Sequence, residues 1–107
     1  MSIIQWNIRG FAANREQVRI LFKEHNIAAM CLQETKLGDV TPNIGSNFIF
    51  HRSPPLRGVR AHGGIGIIVN KSVNHQIVQL NTALQACAIQ IFTTRWVTLC
   101  SLYLIQL

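Results

Sequence analysis

Ile27-Ala28-Ala29-Met30-Cys31-Leu32 is an unbroken apolar run, and what precedes it decides the fold. The run is too short for a core helix, and coming directly after a helical segment it reads as a buried strand. That helical segment is expected from about Asn14 to Asn26. Val18, Leu21, Phe22 and His25 fall at i, i+3, i+4 and i+7, while Arg15, Glu16, Arg19 and Lys23 occupy other faces. Asn14 is a good N-cap residue, Gln17 can reach back as in a capping box, and Asn26 can close the helix in a left-handed conformation. Before the helix, Ile3-Ile4-Gln5-Trp6-Asn7-Ile8 reads as a strand that breaks at Gly10. The opening is therefore strand–helix–strand, which predicts a parallel pair joined by a right-handed crossover.

Beyond it the pattern changes to hairpins. Gly, Pro and Asn mark Thr35 to Ser46 as loop, and Asn47 to His51 is a short strand. Ser53 to Gly63 is a loop rich in Pro, Gly and Arg. Strands are then expected over Gly64–Val69, Val73–Leu80, Leu84–Phe92 and Trp96–Leu104. The fold class is α/β, with a mixed β-sheet, many strands and one clear helix. The last strand, Ser101-Leu102-Tyr103-Leu104-Ile105-Gln106-Leu107, stops without a turn, cap or polar tail. One helix cannot cover six or seven strands, so the chain reads as the N-terminal portion, residues 1–107, of a larger two-layer domain.

The composition agrees with a globular core. Of 107 residues 49% are hydrophobic and 13% charged, which excludes the signature of disorder. No stretch approaches the roughly 20 consecutive apolar residues of a membrane helix, and Asn7 and Arg9 interrupt any secretory signal at the start. No membrane partner is expected. The formal charge is +6, and ten Lys and Arg face only four acidic residues. Such a surplus favours nucleic acid, an anionic membrane surface or an acidic partner, and no basic amphipathic helix supports the membrane. Cys31, Cys87 and Cys100 are widely spaced inside apolar runs, so they read as buried, inert thiols of a reducing compartment.

Two polar residues stand where the strands should be apolar. Asn7 lies near the end of the first strand and Glu34 just past the end of the second. In a parallel pair both emerge at the carboxyl edge, where open α/β sheets bind ligands. An amide oxygen and a carboxylate there suit a hard cation such as Mg²⁺. On spacing alone a plainer reading stands beside it: Glu34 starts a solvated loop and Asn7 makes a turn.

Four blocks in order are similar to a known family. They are Ile4-Gln5-Trp6-Asn7-Ile8-Arg9-Gly10, Met30-Cys31-Leu32-Gln33-Glu34-Thr35-Lys36, Gly63-Gly64-Ile65-Gly66-Ile67-Ile68-Val69 and Val97-Thr98-Leu99-Cys100-Ser101-Leu102-Tyr103-Leu104. Together they resemble the endonuclease/exonuclease/phosphatase superfamily, and within it the endonuclease domain of jockey-type non-LTR (LINE-like) retrotransposons. The resemblance implies a four-layer α/β sandwich, of which this chain holds part, and phosphodiester cleavage dependent on Mg²⁺ (or Mn²⁺). Asn7 and Glu34 would be metal-site residues, and Tyr103 would help stabilise the attacked phosphate. The implied partners are DNA and, in a full-length element, a downstream reverse transcriptase domain. The implied location is intracellular, and nuclear for the parent element.

The departures matter equally. The family's proline after the tyrosine segment is absent, and the chain ends before the Gly-Asp-x-Asn block, the later Asp and the closing Ser-Asp-His block. The only Asp is Asp39, in a loop, and His25, His51, His62 and His75 match no catalytic histidine of the family. Little or no activity is expected from the chain alone. Two alternatives remain: a non-catalytic basic remnant that binds nucleic acid weakly, or a repair nuclease or phosphatase of the same superfamily.

Arg9, Arg52, Arg57 and Arg60 are the candidate nucleic-acid contacts, the last three in or beside the densest basic stretch. Such cations would track phosphates and position the duplex without reading bases, though an ordinary solvated loop looks the same in sequence. No helix follows Gly63-Gly64-x-Gly66, so its glycines are expected to permit tight turning and close strand approach. Trp6 and Trp96 are expected as core or rim packing, Met30 and Phe92 as core, and Phe48 and Phe50 as one inward face.

Overall fold

Every residue of β2 (Ile27–Gln33) except the last is buried, as the apolar run requires of a strand covered on both faces. The computed structural model describes residues 2–38, 40–52, 63–80, 85–92 and 94–103, with backbone alone at 85 and 99–103. The other described elements are β1 (Ser2–Asn7), α1 (Phe11–Glu24), β3 (Phe48–Arg52), β4 (Ile65–Asn70), β5 (His75–Val78), β6 (Gln85–Phe92) and β7 (Trp96–Tyr103). The first four strands form one sheet in the order β1-β2-β4-β3, and the rest form a second in the order β5-β6-β7. β1 and β2 are parallel, with α1 between them in sequence, as the strand–helix–strand pattern predicts. The other pairings among the described residues are antiparallel.

Side-chain alternation along β2 builds two cores on opposite faces of the first sheet. Met30 and Leu32 join Ile8, Phe11, Val18, Ile27 and Ile68 beneath α1. Ala29 and Cys31 join Ile65, Ile67 and Val69 of β4 against Cys87, Ile89 and Ile91 of β6. The described layers are thus helix, four-stranded sheet and three-stranded sheet, with β7 over β2 and β6 over β4. No helix among the described residues is long and apolar enough to cross a membrane.

The helix departs from expectation at both ends. It starts at Phe11, three residues before Asn14, with Gly10 as N-cap and no side-chain capping bond. Its first amide is satisfied from elsewhere in the fold, because Phe11 N–H donates to the carbonyl of Thr35 at 2.8 Å. Asn14 lies one turn inside, and its Nδ2 donates to the carbonyls of Ile8 (2.9 Å) and Gly10 (3.0 Å). At the other end His25, not a left-handed Asn26, closes the helix in extended conformation. Its N–H returns to the Leu21 carbonyl, and Lys23 in the last turn complements the helix dipole.

Most of the expected packing is present. Met30 is fully buried, Phe48 and Phe50 pack against the helix-side core, and Trp6 packs beside them. Cys31 and Cys87 are buried, as expected; the side chain of Cys100 is outside the described residues. Phe92 is a correction, since it is 41% exposed. Ile89 and Ile91 point inward on β6, so strand alternation turns Phe92 outward, where it meets the exposed Trp96 at 5.1 Å between ring centroids. Phe92 and Trp96 pack on each other instead of entering the core.

Candidate active site

β1 and β2 end together. Asn7, the last residue of β1, is the register partner of Gln33, the last residue of β2, and Glu34 follows immediately. Ile4 and Trp6 turn toward the helix-side core, so alternation places Asn7 on the opposite face, where it is exposed. Glu34 is half-buried. Both residues therefore stand at the carboxyl edge of a parallel pair, as their sequence positions predict.

Main-chain hydrogen bonds fix this edge from two sides. On one side Ile8, Gly10 and Phe11 donate to the carbonyls of Gln33, Glu34 and Thr35. On the other, Thr35 and Lys36 donate to the carbonyls of Gly64 and Gly63, at 3.1 and 2.7 Å. Thr35 is 3% exposed and is the buried polar residue of this region. Its hydroxyl lies against Gly64, whose φ of +87° is readily adopted by glycine. The glycine pair thus permits tight turning and close approach, the role expected of it. The importance of Thr35 and Asn14 to the edge was not visible in sequence, because neither the Gly64 contact nor the Ile8 carbonyl is near them in the chain.

Arg9, Glu34 and Lys36 have φ of 52°, 54° and 55°, and they are the non-glycine residues with positive φ among those described. Each such residue costs about 1–2 kcal/mol of backbone strain. Strain of this kind persists where surrounding contacts over-determine it, and it clusters at functional sites. Here all three instances lie at the edge that carries Asn7.

The donor set fits a hard divalent cation. Asn7 offers an amide oxygen and Glu34 a carboxylate, and among the described residues no hydrogen bond or ion pair engages that carboxylate. Mg²⁺ prefers such oxygens and keeps several waters, so two protein donors leave room for phosphate oxygens. No group of three or more His, Cys, Asp or Glu gathers among the described residues.

Residues 4–104 match the Endonuclease/Exonuclease/phosphatase family. The chain belongs to that family. Its fold is similar to the endonuclease domain of TRAS1, a telomere-specific non-LTR retrotransposon, at 20% identity and a TM-score of 0.67 over 95% of this chain and 44% of that one. It is also similar to AP endonuclease LMAP from Leishmania major, at 17% identity and a TM-score of 0.72 over 94% of this chain and 39% of that one. The catalytic domain of Xenopus laevis APE2 matches 71% of the chain at 24% identity and a TM-score of 0.55, covering 26% of that structure. The chain therefore spans less than half the length of each of these structures. No curated protein sequence matches it significantly.

Nucleases of the endonuclease/exonuclease/phosphatase family are generally dependent on divalent metal ions, in keeping with the oxygen donors at this edge. The other candidate residues are Tyr103, Arg9, Arg52, Arg57 and Arg60. Tyr103 ends β7 in the second sheet, paired with Gln85, and its side chain is outside the described residues. Arg9 is exposed two residues after Asn7. Arg52 is turned to loop carbonyls: its guanidinium donates to Val40 and, at 2.5 Å, to Gly38. That cation ties Gly38 and Val40 to β3. Arg57 and Arg60 lie outside the described residues.

Proposed function

We propose that this chain is the N-terminal portion of a Mg²⁺-dependent (or Mn²⁺-dependent) endonuclease domain that nicks DNA for a retrotransposon in the nucleus. The observation that carries the reading is the placement of Asn7 and Glu34 side by side at the ends of parallel β1 and β2. In this reading Glu34 and Asn7 hold the cation, which when bound supplies positive charge to the phosphate under attack. Arg9, and Arg57 and Arg60 from the basic loop, position the duplex by its phosphates, Arg52 adds charge beside them, and Tyr103 donates toward the attacked phosphate. A general base and the remaining metal-site residues are supplied by the part of the domain that follows this one. A downstream reverse transcriptase domain would extend the 3′ end exposed by the nick.

The retroelement assignment rests on the Gly63–Val69 and Val97–Leu104 blocks. A second reading, a repair nuclease of the same family, is favoured by the likeness to the Leishmania AP endonuclease. Incubation of supercoiled plasmid with the chain, and with a version extended through the whole domain, tests the proposal. The 107-residue chain is expected to leave the plasmid intact in Mg²⁺. The extended protein is expected to nick it in Mg²⁺, not in EDTA, and to lose that activity on Glu34→Ala. Nicking indifferent to Glu34 would defeat the assignment, and cleavage confined to abasic plasmid would favour the repair reading.

A further inference from the structure

Three cations follow one another along α1. Arg15, Arg19 and Lys23 are all exposed and fall four residues apart, so a positive charge recurs about every 6 Å along one side of the helix. Between α1 and the 43–45 loop, beside this stripe, lies a groove of about 500 Å³. The three cations line it together with the apolar Val18, Phe22, Ile44, Phe48 and Ile68 and with Ile20, which is 44% exposed.

Specific contacts fix the groove on both sides. The Arg15 guanidinium donates to the Asn43 carbonyl, and the Gly45 amide donates to Asn43 Oδ1 at 3.1 Å, which holds the loop as a turn. The rings of Phe22 and Phe48 pack at 4.8 Å between centroids and join α1 to β3. The volume lies within the range of ligand clefts, about 300–1,000 Å³. A groove formed before binding loses little ordering entropy when it is filled.

We propose that this groove docks an acidic amphipathic helix of a partner protein. Apolar side chains at i, i+3, i+4 and i+7 of that helix enter the groove, and carboxylates beside them meet Arg15, Arg19 and Lys23. Charge complementarity sets the sign, because three cations and a single acid, Glu16, line the groove. Glu16 offsets little of that charge: it is an exposed partner of Arg19 at 3.7 Å. Carboxylates four residues apart on a helix repeat at the same spacing of about 6 Å as the cations. Nucleic acid fits less well. An apolar floor gives phosphates nothing to bind, and Phe22 and Phe48, half-buried and packed on each other, are not the open platform on which bases stack. The groove lies on the helix side of the first sheet and Asn7 on the opposite face, so docking here is separate from the oxygen edge.

The test is a titration of the full chain with a labelled synthetic peptide of about 15 residues, carrying Leu or Phe at i, i+3, i+4 and i+7 and Glu on the flanking positions. Fluorescence anisotropy should show saturable binding with a midpoint below about 100 μM, and by NMR the methyl signals of Ile20 and Ile44 should shift first. Arg19→Glu combined with Lys23→Glu alters exposed residues only and should weaken binding by about tenfold or more. A peptide with Lys in place of Glu, and another with Ala in place of the apolar residues, should each bind about tenfold more weakly as well. Failure to saturate, equal binding of the Lys peptide, or shifts centred outside the groove would overturn the proposal. Tighter binding of a single-stranded oligonucleotide at the same signals would overturn it too. The signals of the unsubstituted chain decide the matter even where a variant does not fold.

Discussion

The hydroxyl of Thr35 stands 2.5 Å from the place that a Cβ on Gly64 would occupy. Thr35 is buried and held by its own backbone bonds to Gly64 and Phe11, so it cannot withdraw. Gly64→Ala meets this contact and also forces a side chain onto a φ of +87°. The substitution should cost about 2–3 kcal/mol, read as a lower denaturant midpoint with an unchanged slope. Full retention of stability would mean that the turn rearranges at no cost.

Glu34→Gly should have the opposite sign. Removing the side chain relieves a φ of 54° at the edge, and part of that gain is offset by the added freedom of the unfolded chain. A net stabilisation of about 0.5–1 kcal/mol is expected together with loss of Mn²⁺ binding, which water-proton relaxation would report. If the variant is less stable, the left-handed residue is not a source of strain.

Asn14 separates two roles that look alike in sequence. A capping residue accepts from backbone amides, whereas here Nδ2 donates to the carbonyls of Ile8 and Gly10. Aspartate caps helices as well as asparagine does, so a capping role would tolerate Asn14→Asp. The observed donor role predicts that Asn14→Asp is more damaging than Asn14→Ala, because a carboxylate would face two carbonyls. A cost of about 1–2 kcal/mol is expected for the alanine variant, and chemical denaturation of both proteins would rank them.

His51 gives the stability a pH dependence. Its pKa in the folded chain is lowered from 6.5 by burial and by the neighbouring His75 ring. Between that lowered value and 6.5 the unfolded chain binds more protons than the folded one. The contribution is therefore complete above pH 6.5 and is lost as the pH falls through the folded value. His51→Gln should flatten the decline in thermal midpoint below that pH. Parallel curves for the two proteins would argue against it.

Strands and their pairing were legible where residue types act locally. Ile65 to Val69 and Ile27 to Leu32 are β-prone apolar runs, and both form buried strands. Glu34 was legible for a related reason: a carboxylate directly after such a run has nowhere to go but the sheet edge. The helix start was not, because Phe11 takes its partner from Thr35, a residue that no local rule connects to it. The outward Phe92 depended on strand phase, and the His51–His75 contact joins residues on different sheets. Features made by tertiary contact stayed hidden, whereas those made by periodicity did not.

The five hydrogen bonds that hold the Gln33–Lys36 segment between β1 and the glycine pair use main-chain atoms only. Amides and carbonyls are the same whatever side chain they carry, so substitution alone does not erase this framework, provided that Gly64 remains able to turn. The edge can thus keep its shape while its chemistry drifts. Lineages that differ at four positions in five would inherit the same platform, and Asn7 and Glu34 could be lost and regained on it without the backbone having to be reinvented.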